Sequence, residues 1–379
     1  MLHIRIKPGV RLSEQPEIGH NRWHSDIPFL ASLMPGDEAI IESLDFLDAQ
    51  IKNDDDVSDI RNIDLTLAHP LTGPFEIIGA APGDLLVVDI IDINPITPIG
   101  FSGNFSKDNG GGFLVDYFPD PHKAIWDLKG LFATSRHIPG IKLTGLVHPG
   151  LIGCLPSYEL LTEWNKREAP LVAQGLAKPP CPETAVLRGL KGNKFDQMAK
   201  EACRTIPARE HGGNMDIKDI SRGSRIFFPV YQKGAGLSMG DLHFSQGDGE
   251  IAFCGAIEMD GAMHIGVDLI KGGMAKYSIN APVFIPSKIK PHYENYISFQ
   301  GISVENGVNY YMDATVAYRQ ACLKAIDYLE HFGYTRAQAY LILTAAPIEG
   351  RIGGIVDIPN CVCSLSIPTG IFDQDILPK

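Results

Sequence analysis

The sequence predicts a mainly β protein with α/β elements and a C-terminal helical hairpin, and three observations carry that prediction. The 379 residues include 39 glycines and 27 prolines, which break a chain into short strands and turns. Aliphatic and β-branched runs such as Leu85-Leu-Val-Val-Asp-Ile-Ile91 recur, and these residue types suit a buried pleated surface. A long amphipathic helical period occurs only in the C-terminal third.

Taken in order, Pro35-Gly-Asp37 is a turn launching the run Ala39-Ile-Ile-Glu42, and Pro82-Gly-Asp84 does the same for 85–93. A polar loop covers 52–59, and Gly110-Gly-Gly112 marks another. A first short helix begins at Ser157, after Pro156, and carries Leu160, Leu161 and Trp164. Ala177-Lys-Pro-Pro-Cys-Pro182 reads as a linker or surface excursion. It divides a β-rich lobe, 1–176, from a site-bearing β lobe with C-terminal helices, 183–379. Residues 223–231 read as a buried strand. Asp313 caps a helix running to about Phe332, with Cys322, Leu323, Ile326 and Leu329 on one stripe and Gly333 ending it. Thr335-Arg-Ala-Gln338 has capping-box spacing for a second helix to about 346. The tyrosines and methionines of this hairpin are expected in the core.

A formal net charge of −12 leaves no basic stripe for phosphates, which argues against a nucleic-acid partner. No stretch is long and apolar enough for a membrane span, and the N-terminus lacks an apolar signal region. Seven scattered cysteines form neither a disulfide framework nor a zinc ribbon, so a cytoplasmic location is expected.

The most informative segment is Gly240-Asp-Leu-His-Phe-Ser-Gln-Gly-Asp-Gly-Glu250, followed by Glu258. Asp241 and His243 are two apart, as are Asp248 and Glu250, and alternate strand side chains share a face. Gly247 and Gly249 permit a tight turn between the pairs. Carboxylates with imidazole suit a divalent metal or an acid/base site, against the alternative of a solvated hairpin. In Arg209-Glu-His-Gly-Gly-Asn-Met-Asp216, His211, Asn214 and Asp216 converge beside a Gly-Gly loop able to hold an anion; the alternative is a tight turn satisfying its own backbone. Segments 20–24, 69–74, 135–139 and 148–154 each bring a histidine that could form a pocket wall, although a structural role is the commoner fate of each. Serine-elbow, HExxH, P-loop and dinucleotide motifs are absent. Cys154 could be a nucleophile, but buried inert cysteine is the commoner outcome.

The segments 20–28, 209–218 and 240–258 resemble the acetamidase/formamidase family, and its formamidase branch most closely. Residues 111–114, 135–139, 317–323 and 355–360 add to the resemblance, which spans nearly the whole chain. It implies a β-sandwich with jelly-roll-like parts, a homo-oligomer, and hydrolysis of short amides, formamide to formate and ammonia in that branch. Within this frame Asp241, His243 and Asp216 are the expected ligands of a divalent metal, zinc first. Glu250 or Glu258 is the expected general base, while Asn214 or the Gly212–Gly213 backbone holds the oxyanion. Asp248 and His211 complete the candidate catalytic set. Trp23 or Phe244 could close a small pocket, though core packing is the simpler role. Other readings are an acetamidase or another small-amide hydrolase working through carboxylates without metal, and a non-enzymatic binding protein.

Overall fold

A computed structural model describes all 379 residues. The site is framed by eight strands. They are β1 (Leu71–Ile77), β2 (Leu85–Pro95), β3 (Ile99–Asn104), β4 (His148–Gly153), β5 (Gly212–Asn214), β6 (Ala235–Gln246), β7 (Cys254–Met259) and β8 (Gly261–Ile270). Three helices support it: α1 (Tyr158–Ala173), α2 (Ala314–Glu330) and α3 (Arg336–Ala345).

Two large open sheets share one core. The six-stranded sheet runs Leu2–Ile4, Glu38–Ser43, β8, β2, Arg225–Pro229, Val283–Ile285. The twelve-stranded sheet has β3, β7, β6, β4 and β5 adjacent in that order, with β1 also pairing β6. Nearly every ladder is antiparallel. A single cluster of 57 buried apolar residues joins Ile41, Val88 and Ile265 of the first sheet to Phe75, Trp126 and Leu242 of the second. Alternation explains β2: Leu86, Val88 and Ile90 face the core, and Asp89 does not. The register against β8 then slips past Ile91, an added residue that restores Ile93 to the buried face.

The 177–182 segment separates no sheet. β1 pairs β6 and β2 pairs β8, so strands from 1–176 and 183–379 interleave in both sheets. The helix beginning at Ser157 is longer than the sequence suggested, 16 residues, with Pro170 inside its final turn. Ser157 caps it by accepting from Leu160 N–H.

The C-terminal hairpin forms as the sequence pattern requires. Asp313 accepts from the Thr315 and Val316 N–H groups, and Thr335 and Gln338 form the capping box. Val316, Ala321, Cys322, Ala325, Ile326 and Leu329 bury one stripe. The helix lies so close to strand Tyr296–Ile302 that only glycine fits at Gly301, against the Ala317 carbonyl. No helix is long and apolar enough to cross a membrane.

Candidate active site

Strand register builds the centre of the site. β4, β6 and β7 are neighbours, and His243 of β6 lies directly opposite His148 on one side and Glu258 on the other. Side chains at such paired positions meet on one face of the sheet. His243 Nε2 accordingly sits 3.0 Å from Glu258 Oε2. Its Nδ1 lies 3.2 Å from His148 Nε2 and 2.9 Å from Gln246 Oε1. His148 Nδ1 in turn reaches the Leu146 carbonyl at 2.7 Å.

The remaining carboxylates are aimed by unusual backbone. Asp216, Asp241 and Glu250 all adopt left-handed φ, at 51°, 54° and 41°. Non-glycine residues occupy that region at a cost of order 1–3 kcal/mol each, and such positions cluster at functional sites. Asp241 Oδ1 comes within 3.1 Å of His243 Nε2. Asp216 is hung from β4, where Gly150 O accepts from both Met215 and Asp216 N–H. A Cβ on Gly150 would stand 2.5 Å from Asp241 Oδ2 and His243 Cε1 and 2.7 Å from Asp216 Oδ1, so glycine is required there by crowding. Gly255 likewise leaves the room that Glu250 Cγ occupies.

The helical hairpin holds the loop bearing Glu250. Tyr318 Oη donates to Asp248 O at 2.7 Å, Tyr340 Oη donates to Ile251 O, and Thr344 Oγ1 donates to Gly255 O at 2.7 Å. These tyrosines are structural, as the sequence suggested.

Two candidates from the sequence lie elsewhere. Asp248 and Glu250 do not share a face, because Gly249 and Glu250 both take positive φ and turn the chain between them. Asp248 instead pairs with Lys218 and accepts from Gly350 N–H, lining a separate polar cavity. His211 is buried between Trp23 and Trp164, its Nδ1 2.6 Å from the Cys154 carbonyl. The backbone of Gly212 and Gly213 is paired with 152–153 on one side and 208–209 on the other, so it is not a free anion loop. Trp23 therefore packs away from the site, and Phe244 is core, against Gly145. Burial pushes the Cys154 thiol far up, so it is no nucleophile.

His69, whose segment offered the sequence only a possible pocket wall, is brought to the cluster by the fold. It lines the cavity, with Nε2 4.0 Å from Asp241 Oδ2. Burial holds its pKa down, to about 4, so the ring is neutral. Thr205 Oγ1 accepts from His69 N–H at 2.7 Å and lies 3.1 Å from Nδ1. In the tautomer where the Thr205 hydroxyl donates to Nδ1, the neutral ring carries its proton on Nε2, at the cavity.

Charge is unbalanced here. Burial, then the neighbouring Asp241, raises Asp216 to about 7; burial raises Glu258 to about 7 despite His243. Burial, with Asp216 beside it, pushes Glu250 well up. Burial opposes charge on both Asp241 and His243 as well, yet their contact holds Asp241 low and, together with Glu258, His243 high. Four carboxyls, Asp241 and Glu258 buried and Asp216 and Glu250 half-buried, thus gather around the His243 imidazole. Ligand atoms of Asp216, Asp241 and His243 fall within 4.8 Å of one another, as do those of His243, Glu250 and Glu258. Asp216 Oδ1 is buried without a hydrogen-bond partner. Carboxylate and imidazole donors, excess negative charge and an orphaned oxygen fit a divalent cation.

Asp241, Glu250 and Glu258 of the cluster form the polar floor of a cavity of about 270 Å³, whose other wall includes Phe46, Phe113, Phe253 and Ile206. Asn214 also lines it, Nδ2 donating to Ile206 O at 3.1 Å while Oδ1 has no partner.

Residues 5–374 match the family described as "Acetamidase/Formamidase family". The chain belongs to that family. Within the family it is 55% identical over 369 residues to a formamidase of Methylophilus methylotrophus, covering 95% of this chain and 91% of the relative. It is 51% identical over 357 residues to an acetamidase of Mycolicibacterium smegmatis, covering 89% and 88%. A solved structure of a gamma lactamase from Delftia acidovorans superposes with a TM-score of 0.98 at 53% identity, covering all of this chain and 95% of that one.

Proposed function

We propose that the protein hydrolyses a short aliphatic amide, formamide foremost, to the carboxylate and ammonia. One observation carries this reading: Asp241, Glu250 and Glu258, with Asp216 and His243 clustered behind them, reach a small cavity shared with His69 and Asn214 and otherwise walled by apolar residues and glycines. The family relatives bearing formamidase, acetamidase and gamma-lactamase names all share the amide C–N bond as target, which supports the reaction class.

An amide carbonyl is a weak electrophile, so the site must activate water, stabilise the oxyanion and protonate the departing amine. A divalent ion, zinc in our reading, held by Asp241, His243 and Asp216, would polarise the carbonyl and make water more acidic. Glu250 is the base of choice. It faces the cavity and carries no hydrogen bond to His243, and burial raises its carboxyl well above the usual range, which favours a group that takes up and returns a proton. Glu258 is tied to His243 Nε2 and to Ala256 N–H, which suits orientation of the histidine. His69 Nε2–H is placed to donate to the developing oxyanion, and Asn214 Oδ1 to accept from the substrate NH₂. Gln246 and His148 fix the face that His243 presents. The fold's free cysteines are consistent with a reducing, cytoplasmic setting, and we infer a homo-oligomer as in the sequence reading.

The test is ammonia release from formamide and acetamide by purified protein, before and after chelation and zinc add-back. Loss with chelator and return with zinc supports the metal-assisted route. Chelator-resistant turnover moves the work to the carboxyls alone, and no ammonia from either amide defeats the reading.

A further inference from the structure

A second cavity, of about 390 Å³, adjoins the first and shares Gly110, Ile206 and Phe253 with it. Its character is different. No carboxyl of the cluster lines it; Asp64, Glu168 and Arg204 stand on its wall, but most of the exposed wall is apolar, with Leu65, Leu176, Pro179 and Pro207. It reaches solvent beside the exposed Leu176 and Lys178. Two stretches of chain face each other across it, 63–66 and 176–181.

Those two walls are fastened together by a buried cation. Arg22 is fully buried, and its Nε donates to Pro180 O at 2.8 Å. Its Nη2 donates to Thr66 O and Cys181 O, both at 3.0 Å. A guanidinium with its donors fanned onto carbonyls of both walls fixes their separation, because those bonds would be lost if either wall moved. The 177–182 segment, which reads in the sequence as a linker, is therefore one side of a built channel.

Phe253 stands between the two cavities. It is three residues beyond Glu250, is half-buried, and packs on Phe105 with ring centroids 4.9 Å apart. Ile206 faces the same junction, and its carbonyl holds Asn214. Gly110 adds no side chain, so Phe253 and Ile206 supply the side chains that the two cavities share.

We propose that this second cavity is an acyl-tail subsite: primary amides with apolar chains of several carbons place the amide at Glu250 and Glu258 and run the tail past Phe253 and Ile206. The proposal rests on the amidase reading above and extends its substrate class. The chemistry is unchanged: water adds to the carbonyl carbon, the C–N bond breaks, and the nitrogen leaves as ammonia carrying the transferred proton. Phe253 and Ile206 act as specificity-determining residues and take no part in that step. Each methylene seated in an apolar pocket is worth about 10–200-fold in discrimination.

The experiment compares kcat/KM for formamide, butyramide and hexanamide in the wild type and in Phe253→Ala, Phe253→Leu and Leu176→Asp. Widening the junction should raise the hexanamide-to-formamide ratio by about tenfold or more in Phe253→Ala, with Phe253→Leu intermediate. A charge at the mouth, in Leu176→Asp, should lower the same ratio. Phe253→Leu keeps the test alive if the alanine variant fails to fold. Ratios that stay flat across all three variants, while formamide is still hydrolysed, overturn the tail subsite alone. Wild-type protein that releases ammonia from none of the amides overturns the amidase reading, and the subsite with it.

Discussion

His243 and His211 are both completely buried, and each follows an acidic residue closely in sequence, yet burial leads them to opposite states. His211 meets two indole rings and one carbonyl, so desolvation dominates and its pKa falls to about 3. The acid beside it, Glu210, is engaged by Arg167 and by Trp164 Nε1. His243 meets Asp241 and Glu258, whose charges outweigh the same desolvation and drive its pKa well up. A buried histidine is thus a structural spacer or a reactive centre according to the carboxylates that register brings to it. The flanking sequence does not decide this.

The largest expected effects separate the two regions by activity. Glu250→Gln should lower amide turnover by about 10²–10⁴-fold with the circular dichroism spectrum retained, the usual range for a lost acid/base group, and Glu258→Gln should lower it by less, through the position of His243. If both variants keep near-normal ammonia release, the base lies elsewhere. His211→Gln, by contrast, should leave turnover per folded molecule within about threefold, since no reacting group depends on it.

Glycines sharpen the comparison at a smaller scale. Gly150→Ala puts a methyl within 2.5 Å of Asp241 Oδ2, and misplacing a catalytic array by about 1 Å can cost about 10²-fold in rate. Gly213→Ala puts its methyl 3.1 Å from His211 Nε2 at a φ of 84°, where alanine is strained. Its cost should appear as a loss of about 1 kcal/mol or more of unfolding free energy in urea, with kcat little changed. Equal losses of activity in the two variants would erase the distinction between the regions.

Much of this was readable in the chain. The capped C-terminal hairpin follows from Asp313 and the Thr335–Gln338 spacing, which are local hydrogen-bonding rules. The Asp241–His243 pair was found by alternation, although a left-handed φ at Asp241 is what aims it. Glu250 was found beside a wrong companion: positive φ at Gly249 and Glu250 sends Asp248 to Lys218, and a period of two carries no information about that turn. His69, His148 and Gln246 were legible only as scattered polar residues. Their role comes from cross-strand register and from Thr205, contacts made over tens to more than a hundred residues of sequence separation. The interleaving of both halves in two sheets was hidden for the same reason, because the Pro-rich 177–182 stretch looks locally like a boundary.

The tryptophan-lined region should announce itself in stability. Truncating His211 to glutamine disturbs its bond to the Cys154 carbonyl and the packing against both indoles, at an expected cost of about 1–3 kcal/mol in urea unfolding.

The smallest effect is the pH dependence of that stability. His20, buried and bonded to Arg22 O and Ser238 Oγ, is pushed down by burial to about 4, alongside His211 at about 3. An unfolded histidine titrates near about 6.5. At these two histidines the unfolded chain therefore takes up protons first as pH falls, so their own contribution to stability is full above about 6.5 and declines towards 4. Each histidine adds at most about 1.4 kcal/mol per pH unit to that slope. Urea midpoints of the wild type and His20→Gln at pH 7, 6 and 5 read it directly. The variant should lose close to one proton's worth of slope, and an unchanged slope would mean that His20 titrates alike in the folded and unfolded chain.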